Sequence, residues 1–187
     1  MDYIFVKANF INQYFKKDKE YVNPSMEDFL KSIEHKIYIP ENQTSNVREN
    51  KLMLCSFISF RVISNNKLLW FETKEDEEYS VVRAFPVERR SLKTGESYAF
   101  EKTVVDVCKK ICTNTAVMPK THLQVNGAVR SGGMFGIHYT ILIPEEYLSS
   151  FDFSENSALD ISYLQTNKDK LDDISALCID NYKEIKR

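Results

Sequence analysis

The chain has 187 residues, 43% of them hydrophobic and 28% charged, with only 5 Gly and 5 Pro; this is the make-up of one globular domain with a sizeable core, not of a disordered or repetitive protein. A net charge of −2 supplies no general basic field, so no nucleic-acid partner is indicated. No apolar run is long enough to span a bilayer, and MDYIFVKANF carries an early acid in place of a basic leader region, so a cytoplasmic protein without a membrane anchor is expected.

Residues 3–7 read as a first strand, being aromatic and β-branched. Phe10, Ile11, Tyr14 and Phe15 then follow helical spacing up to a charged loop over residues 16–20. Ser25, with Asp28 three residues on, predicts a helix start; the helix is expected to run to His35 and to bury Met26, Phe29, Leu30 and Ile33. Residues 41–50 are a polar loop. Residues 52–63 give the clearest strand, and Ser64-Asn65-Asn66-Lys67 the turn into a return strand at 68–71, because Asn tolerates left-handed backbone angles. A charged loop at 74–78 precedes a strand over 79–87, and Glu88-Arg89-Arg90-Ser91 leads towards the next helix.

That helix lies within residues 95–117, GESYAFEKTVVDVCKKICTNTAV. Phe100, Val104, Cys108 and Ile111 form one apolar face. Thr94 or Ser97 is expected to cap its start, and Asn114 to stand near its end, since Pro119 prevents continuation. Residues 122–129 alternate as a strand with Leu123, Val125 and Gly127 on one side. A turn at 130–133 and a strand at 135–143 complete a hairpin that holds most of the glycines. Residues 160–164 read as a last strand. Thr166 and Asp169 then cap a C-terminal helix with Leu171, Ile174, Cys178, Tyr182 and Ile185 on its buried stripe. Nothing divides residues 1–187 into two domains; residues 1–50 are an extension integral to the one domain. The 4 cysteines lack CxxC spacing and read as reduced core thiols; Cys108 and Cys112 share a helix face without a further ligand to complete a zinc set.

The 95–117 stretch resembles the Nudix box, a glycine, five residues, a glutamate, seven residues, then R-E-hydrophobic-x-E-E-x-G-hydrophobic. Gly95, Glu101, Ile111 and Val117 match. Lys109 and Lys110 stand for the Arg-Glu pair, Thr113 and Asn114 for the Glu-Glu pair, and Ala116 for the second glycine. The resemblance extends along the chain to the bacterial Nudix group described as predicted phosphoesterases. His35-Lys36-Ile37-Tyr38-Ile39-Pro40 resembles its G-x-x-F/Y-I-P-R segment, Leu52-Met53-Leu54-Cys55-Ser56-Phe57 its Q-I-I-P-Y-V-V strand, and Phe135-Gly136-Ile137-His138-Tyr139-Thr140 its G-x-V-H-L-G strand. The family's Gly-Gly-His before the box is replaced by Arg83-Ala84-Phe85-Pro86.

The resemblance implies an α/β Nudix-like sandwich, a mixed β-sheet flanked by helices, with a degenerate box. Family helices present glutamates that hold magnesium, which suits carboxylate oxygens and activates water. Lys110 puts an ammonium where a ligand oxygen belongs, leaving Glu101 as the residual carboxylate, so no metal and no cofactor are expected. Cations in place of a metal hold phosphates directly: the candidate ligand-binding residues are Arg83, Phe85, Arg89, Arg90, Lys109, Lys110 and His138. Trp70, Phe71 and Phe85 are candidates to stack on a base, although strand aromatics more often fill core, and a hydrogen-bonded strand histidine is the commoner role for His138. The expectation is a catalytically degenerate module that senses a nucleotide-like or phosphorylated ligand. The alternatives are a protein-interaction scaffold, with a protein partner or as a homodimer, and a metal-dependent nucleoside-diphosphate-type hydrolase, using magnesium, with carboxylates recruited from other segments such as Glu72, Glu75, Glu77, Glu78 or Glu88.

Overall fold

The structure, a computed structural model, describes residues 1–16, 18–46, 50–69, 73–76, 81–84, 87–95, 97–153 and 158–185. The elements run β1 (Asp2–Lys7), α1 (Ala8–Asn12), β2 (Glu20–Val22), α2 (Met26–Ser32), β3 (Lys36–Pro40), β4 (Lys51–Val62), β5 (Leu68–Leu69), β6 (Thr73–Asp76), β7 (Val81–Ala84) and β8 (Val87–Ser91). They continue with α3 (Phe100–Ile111), β9 (His122–Ser131), β10 (Met134–Ile143), β11 (Ala158–Leu159), α4 (Ile161–Thr166) and α5 (Asp173–Cys178). Among the described residues, no helix is long and apolar enough to cross a membrane.

The long apolar run at 52–63 becomes β4, and the sheet is built on it. One edge pairs in parallel with β10 along Met53–Val62. The other edge is shared in sequence by β1, β8 and β5, all antiparallel. Beyond β10 come β9 and then the short β2, while β6 and β7 form a separate ribbon. The parallel pair makes this a mixed sheet, and both faces of β4 are covered. Leu54, Ile58, Phe60 and Val62 face a core shared with Val104, Val107 and Cys108 of α3. Cys55 and Phe57, one residue out of phase, face a second core with Ile174 and Cys178 of α5. Alternation of side chains along a strand therefore assigns each residue to the α3 face or the α5 face.

Local signals account for several joints. Ser25 caps α2 by accepting from Asp28 N at 3.1 Å, as the capping pattern predicts. Asn66 has φ 60° in the turn after β4, and Gly132 and Gly133, at φ 56° and 78°, close the β9–β10 hairpin as a two-residue turn of this hand requires. Gly136 lies where β10 presses on β4: a Cβ there would sit 1.5 Å from the Cys55 carbonyl oxygen.

Other expectations need correction. Helix α2 stops at Ser32 and leaves Met26 and Leu30 exposed, because it packs through Phe29, which stacks on Phe135. Residues 73–76 are strand, not loop, and the 79–87 reading divides into β7 and β8, with Arg89 and Arg90 inside a strand. Residues 161–166 form a helix, not a strand, since Leu164 must reach Leu68, Leu171 and Ile179. The C-terminal helix begins after Asp172, not at Thr166, and is only 6 residues long. An irregularity in β9 opposite His138/Tyr139 pairs Val125 with Tyr139 but Gly127 with His138, so Gly127 leaves the side shared by Leu123 and Val125, as a bulge dictates.

Candidate functional site

The loop before α3 and the first two turns of the helix border a polar concavity on the α3 face. The start of α3 follows Ala99, which provides no side-chain cap, so first-turn N–H groups keep their hydrogen-bonding capacity. Neither expected cap is used as one. Thr94 Oγ1 accepts from Asp2 N at 2.9 Å, and Ser97 donates to Asp106 Oδ2 at 2.7 Å. Lys102, one turn before Asp106, bonds its Oδ1 at 2.8 Å. Lys102 and then Ser97 hold the Asp106 carboxyl below the usual carboxylate range, because hydrogen bonds and a neighbouring cation favour the ionised form.

Arg90 closes the other side. In β8 it pairs with Ser56, whose hydroxyl donates to Phe100 O on α3, so Arg90 projects towards the helix. With Gly95, Ser97, Lys102 and Asp106 it lines a cavity of about 390 Å³. Arg90 Nε is buried and has no hydrogen-bond partner among the described residues. Gly95 holds φ 88° at the cavity mouth, a conformation that suits glycine. Among the described residues that line it, two cations, Arg90 and Lys102, accompany one carboxylate, Asp106. Tyr98, 63% exposed, stands near Lys102, whose pKa is raised first by the Asp106 hydrogen bond and only lastly by Tyr98.

The remaining candidates are dispersed. Arg89, the neighbour of Arg90, points to the opposite face, where its guanidinium donates to Asp172 Oδ2 at 2.7 Å. His138 is on that face too, fully buried: Nδ1 shares a 2.8 Å hydrogen bond with the Tyr21 hydroxyl and Nε2 a 2.8 Å hydrogen bond with Ser59 Oγ. Ser59 continues the chain to the Tyr182 hydroxyl at 2.8 Å. Burial, and then the Arg61 guanidinium, push His138 down to about 3, so it is neutral and held as a structural hydrogen-bond relay. Lys109 and Lys110 are exposed in the last turn of α3 and do not line the cavity, although Lys109, after the Lys102 and Ser97 hydrogen bonds, adds to the lowering of the Asp106 pKa. For Arg83 the side chain, and for Trp70, Phe71 and Phe85 the whole residue, lie outside the described residues, as do Glu72, Glu77, Glu78 and the Glu75 side chain.

The resemblance to the box implies magnesium at its carboxylate positions. Lys109 and Lys110 are ammonium groups, which repel a cation. Thr113 donates its hydroxyl to Ser150 O at 3.0 Å, and Asn114 Oδ1 accepts from Ala116 N at 3.2 Å, because α3 ends at Ile111 and these residues serve the turn beyond. Glu101 is exposed; burial, and then the Glu101 charge, raise the pKa of the Tyr139 phenol. Among the described residues no three His, Cys, Asp or Glu side chains gather to hold a metal. This donor set does not fit a hard divalent cation. All four cysteines are free and buried; burial pushes the Cys55 and Cys108 thiols up to about 12, so neither is a reactive thiolate.

Of the residues lining this cavity, the sequence expectation names Arg90 as a ligand candidate and Ser97 only as a cap, and it names neither Lys102 nor Asp106. The signal was the i, i+4 spacing of Lys102 and Asp106 on the helix already recognised.

No protein-family model matches the sequence, and no curated protein matches it. Among solved structures the chain is similar to the crystal structure of Tm1382, a candidate Nudix hydrolase, with a TM-score of 0.63 at 9% sequence identity. That likeness covers 96% of this chain and 99% of the other. At this identity it shows the fold: an α/β Nudix-like sandwich with a mixed sheet flanked by helices.

Proposed function

We propose that this Nudix-fold chain binds a nucleotide-like or other phosphorylated ligand as a sensor or regulatory module, without metal-dependent hydrolysis of it. The observation that carries this reading is Arg90, whose buried Nε has no partner among the described residues, facing Lys102 across a cavity beside the uncapped start of α3. Guanidinium, ammonium and free helix N–H groups together match the oxygens of a phosphate. Tyr98 offers an exposed ring beside the anion site for a base or another planar group. Relative to the sequence expectation, Lys102, Ser97 and Tyr98 join Arg90 in the ligand set. Arg89 and His138 leave it, since the sheet separates them from the cavity.

A thermal-shift screen of inorganic pyrophosphate, nucleoside mono- and diphosphates and sugar phosphates, each with EDTA and with magnesium, tests the reading. Stabilisation by one compound in EDTA, without turnover in either buffer, is expected. Magnesium-dependent release of phosphate or a nucleoside monophosphate would replace this function with the hydrolase alternative.

A further inference from the structure

Sheet edges attract further strands unless they are short or guarded by charge or proline. Three edges among the described residues are so protected. Strand β2 has 3 residues and begins with Glu20, β11 has 2, and β3 is bounded by Lys36 and Pro40. Strand β9 differs. Its residues 128–130 are covered by β2, but on the same side residues 122–126 have no strand or backbone partner among the described residues. Leu123 and Val125 are 47% and 42% exposed there, on the face where Val105 of α3 is exposed too. No residue from 122 to 126 is formally charged when His122 is neutral.

We propose that this edge binds a second copy of the same chain, antiparallel, about a twofold axis through Gln124, so that the sheet continues from one chain into the other. The open length selects this register. Strand β9 begins at His122, and β2 occupies the outer edge from Ala128. Only centring on Gln124 pairs all five open residues with the five of a second copy and avoids both copies of β2. In that register Leu123 lies across from Val125 of the second copy, twice by symmetry, and His122 across from Asn126. Apolar residues then meet at cross-strand distance and no like charges are opposed, as a self-complementary twofold interface requires. Gln124 supplies a separate indication. Its Nε2 donates to Glu184 O at 3.3 Å, but its Oε1 is buried without a partner among the described residues. Buried oxygens are seldom left so. With the two Gln124 amides facing one another and turned towards the edge, each gives the other a donor.

The proposal is independent of the ligand reading and is tested on the full chain without ligand. Sedimentation or light scattering over a concentration series, up to about 200 µM so that even a weak micromolar dimer is populated, is expected to show a mass rising towards twice the 21.8 kDa of one chain. Gln124→Lys and Gln124→Glu each place like charges opposite one another on the axis, and each is expected to remain at the single-chain mass. An equimolar mixture of the two restores the double mass. Leu123→Lys, at an exposed position, is a second disrupting variant that leaves the core intact. A wild-type chain that stays single throughout the series overturns the proposal. So does a dimer that survives these substitutions, or a charge pair that fails to restore it.

Discussion

Arg89 and Arg90 are adjacent in one strand yet belong to different environments. Arg89 faces α5, where Asp172 takes its guanidinium and a closed relay joins Tyr21, His138, Ser59 and Tyr182. Arg90 faces α3, where a cavity opens and its Nε has no partner among the described residues. Polar groups on the α5 face fasten elements together: Arg61 donates to Lys183 O at 2.6 Å, and Asn126 Oδ1 accepts from Lys183 N at 3.2 Å, which holds the C-terminal segment to the sheet. The comparison teaches that charge alone does not distinguish the two arginines. Buried polar atoms without a partner among the described residues occur on the α5 face too, at Arg61 Nε, Asp172 Oδ1 and Ser175 Oγ; what sets Arg90 apart is the open volume beside it.

The strongest way to break this arrangement is at the seam both faces share. Gly136→Ala would drive a methyl into the Cys55 carbonyl; a loss of about 4 kcal/mol or more, or failure to fold, is expected, measured by denaturant unfolding. A near-neutral result would mean that β10 does not press on β4 as described.

The relay sharpens the α5 side. His138→Leu removes both ring partners and is expected to cost about 2–4 kcal/mol by the same measurement. The pH dependence follows from the same histidine. Its folded pKa is lowered to about 3, below the unfolded value of about 6.5. Between these values the unfolded chain binds the extra proton, so stability is intact above about pH 6.5 and falls on acidification, by at most about 1.4 kcal/mol per pH unit. His138→Gln should flatten that part of the profile between pH 6.5 and 4. Parallel profiles for the two proteins would show that His138 is not held neutral.

Smaller effects separate the arginines from the lysines. Arg89→Ala should cost about 1–2 kcal/mol, because it strips the partner from the largely buried Asp172, and should leave ligand affinity unchanged. Lys109→Ala with Lys110→Ala should alter stability by less than about 0.5 kcal/mol, as exposed charges away from special features do. A marked loss of ligand affinity in this double variant would move the site to the far end of α3.

Elements written in local chemistry were legible in the sequence: β1, β4, the Ser25 cap, the glycine turn and the helix within 95–117. What escaped depended on distant partners. The run Glu88-Arg89-Arg90 hid β8, because a charged strand looks like a loop until Asp172 and the cavity are known. Leu123 and Val125 read as an ordinary alternating strand, and nothing nearby in sequence reveals that β2 is too short to cover them. The site was half legible. Arg90 is among the candidate cations, but only the strand gives Arg89 and Arg90 opposite faces, and Lys102 of α3 stands at none of the defined positions of the box.

The central claim is tested most directly by calorimetric titration of inorganic pyrophosphate, and of any nucleotide that passes the thermal screen, in EDTA into wild type, Arg89→Ala and Arg90→Ala. Wild type and Arg89→Ala are expected to bind alike, and Arg90→Ala at least about tenfold more weakly, the loss of about 1.4 kcal/mol or more that a charge-assisted contact supplies. Equal binding by Arg90→Ala, or binding lost in Arg89→Ala instead, would contradict the assignment of the cavity on the α3 face as the ligand site.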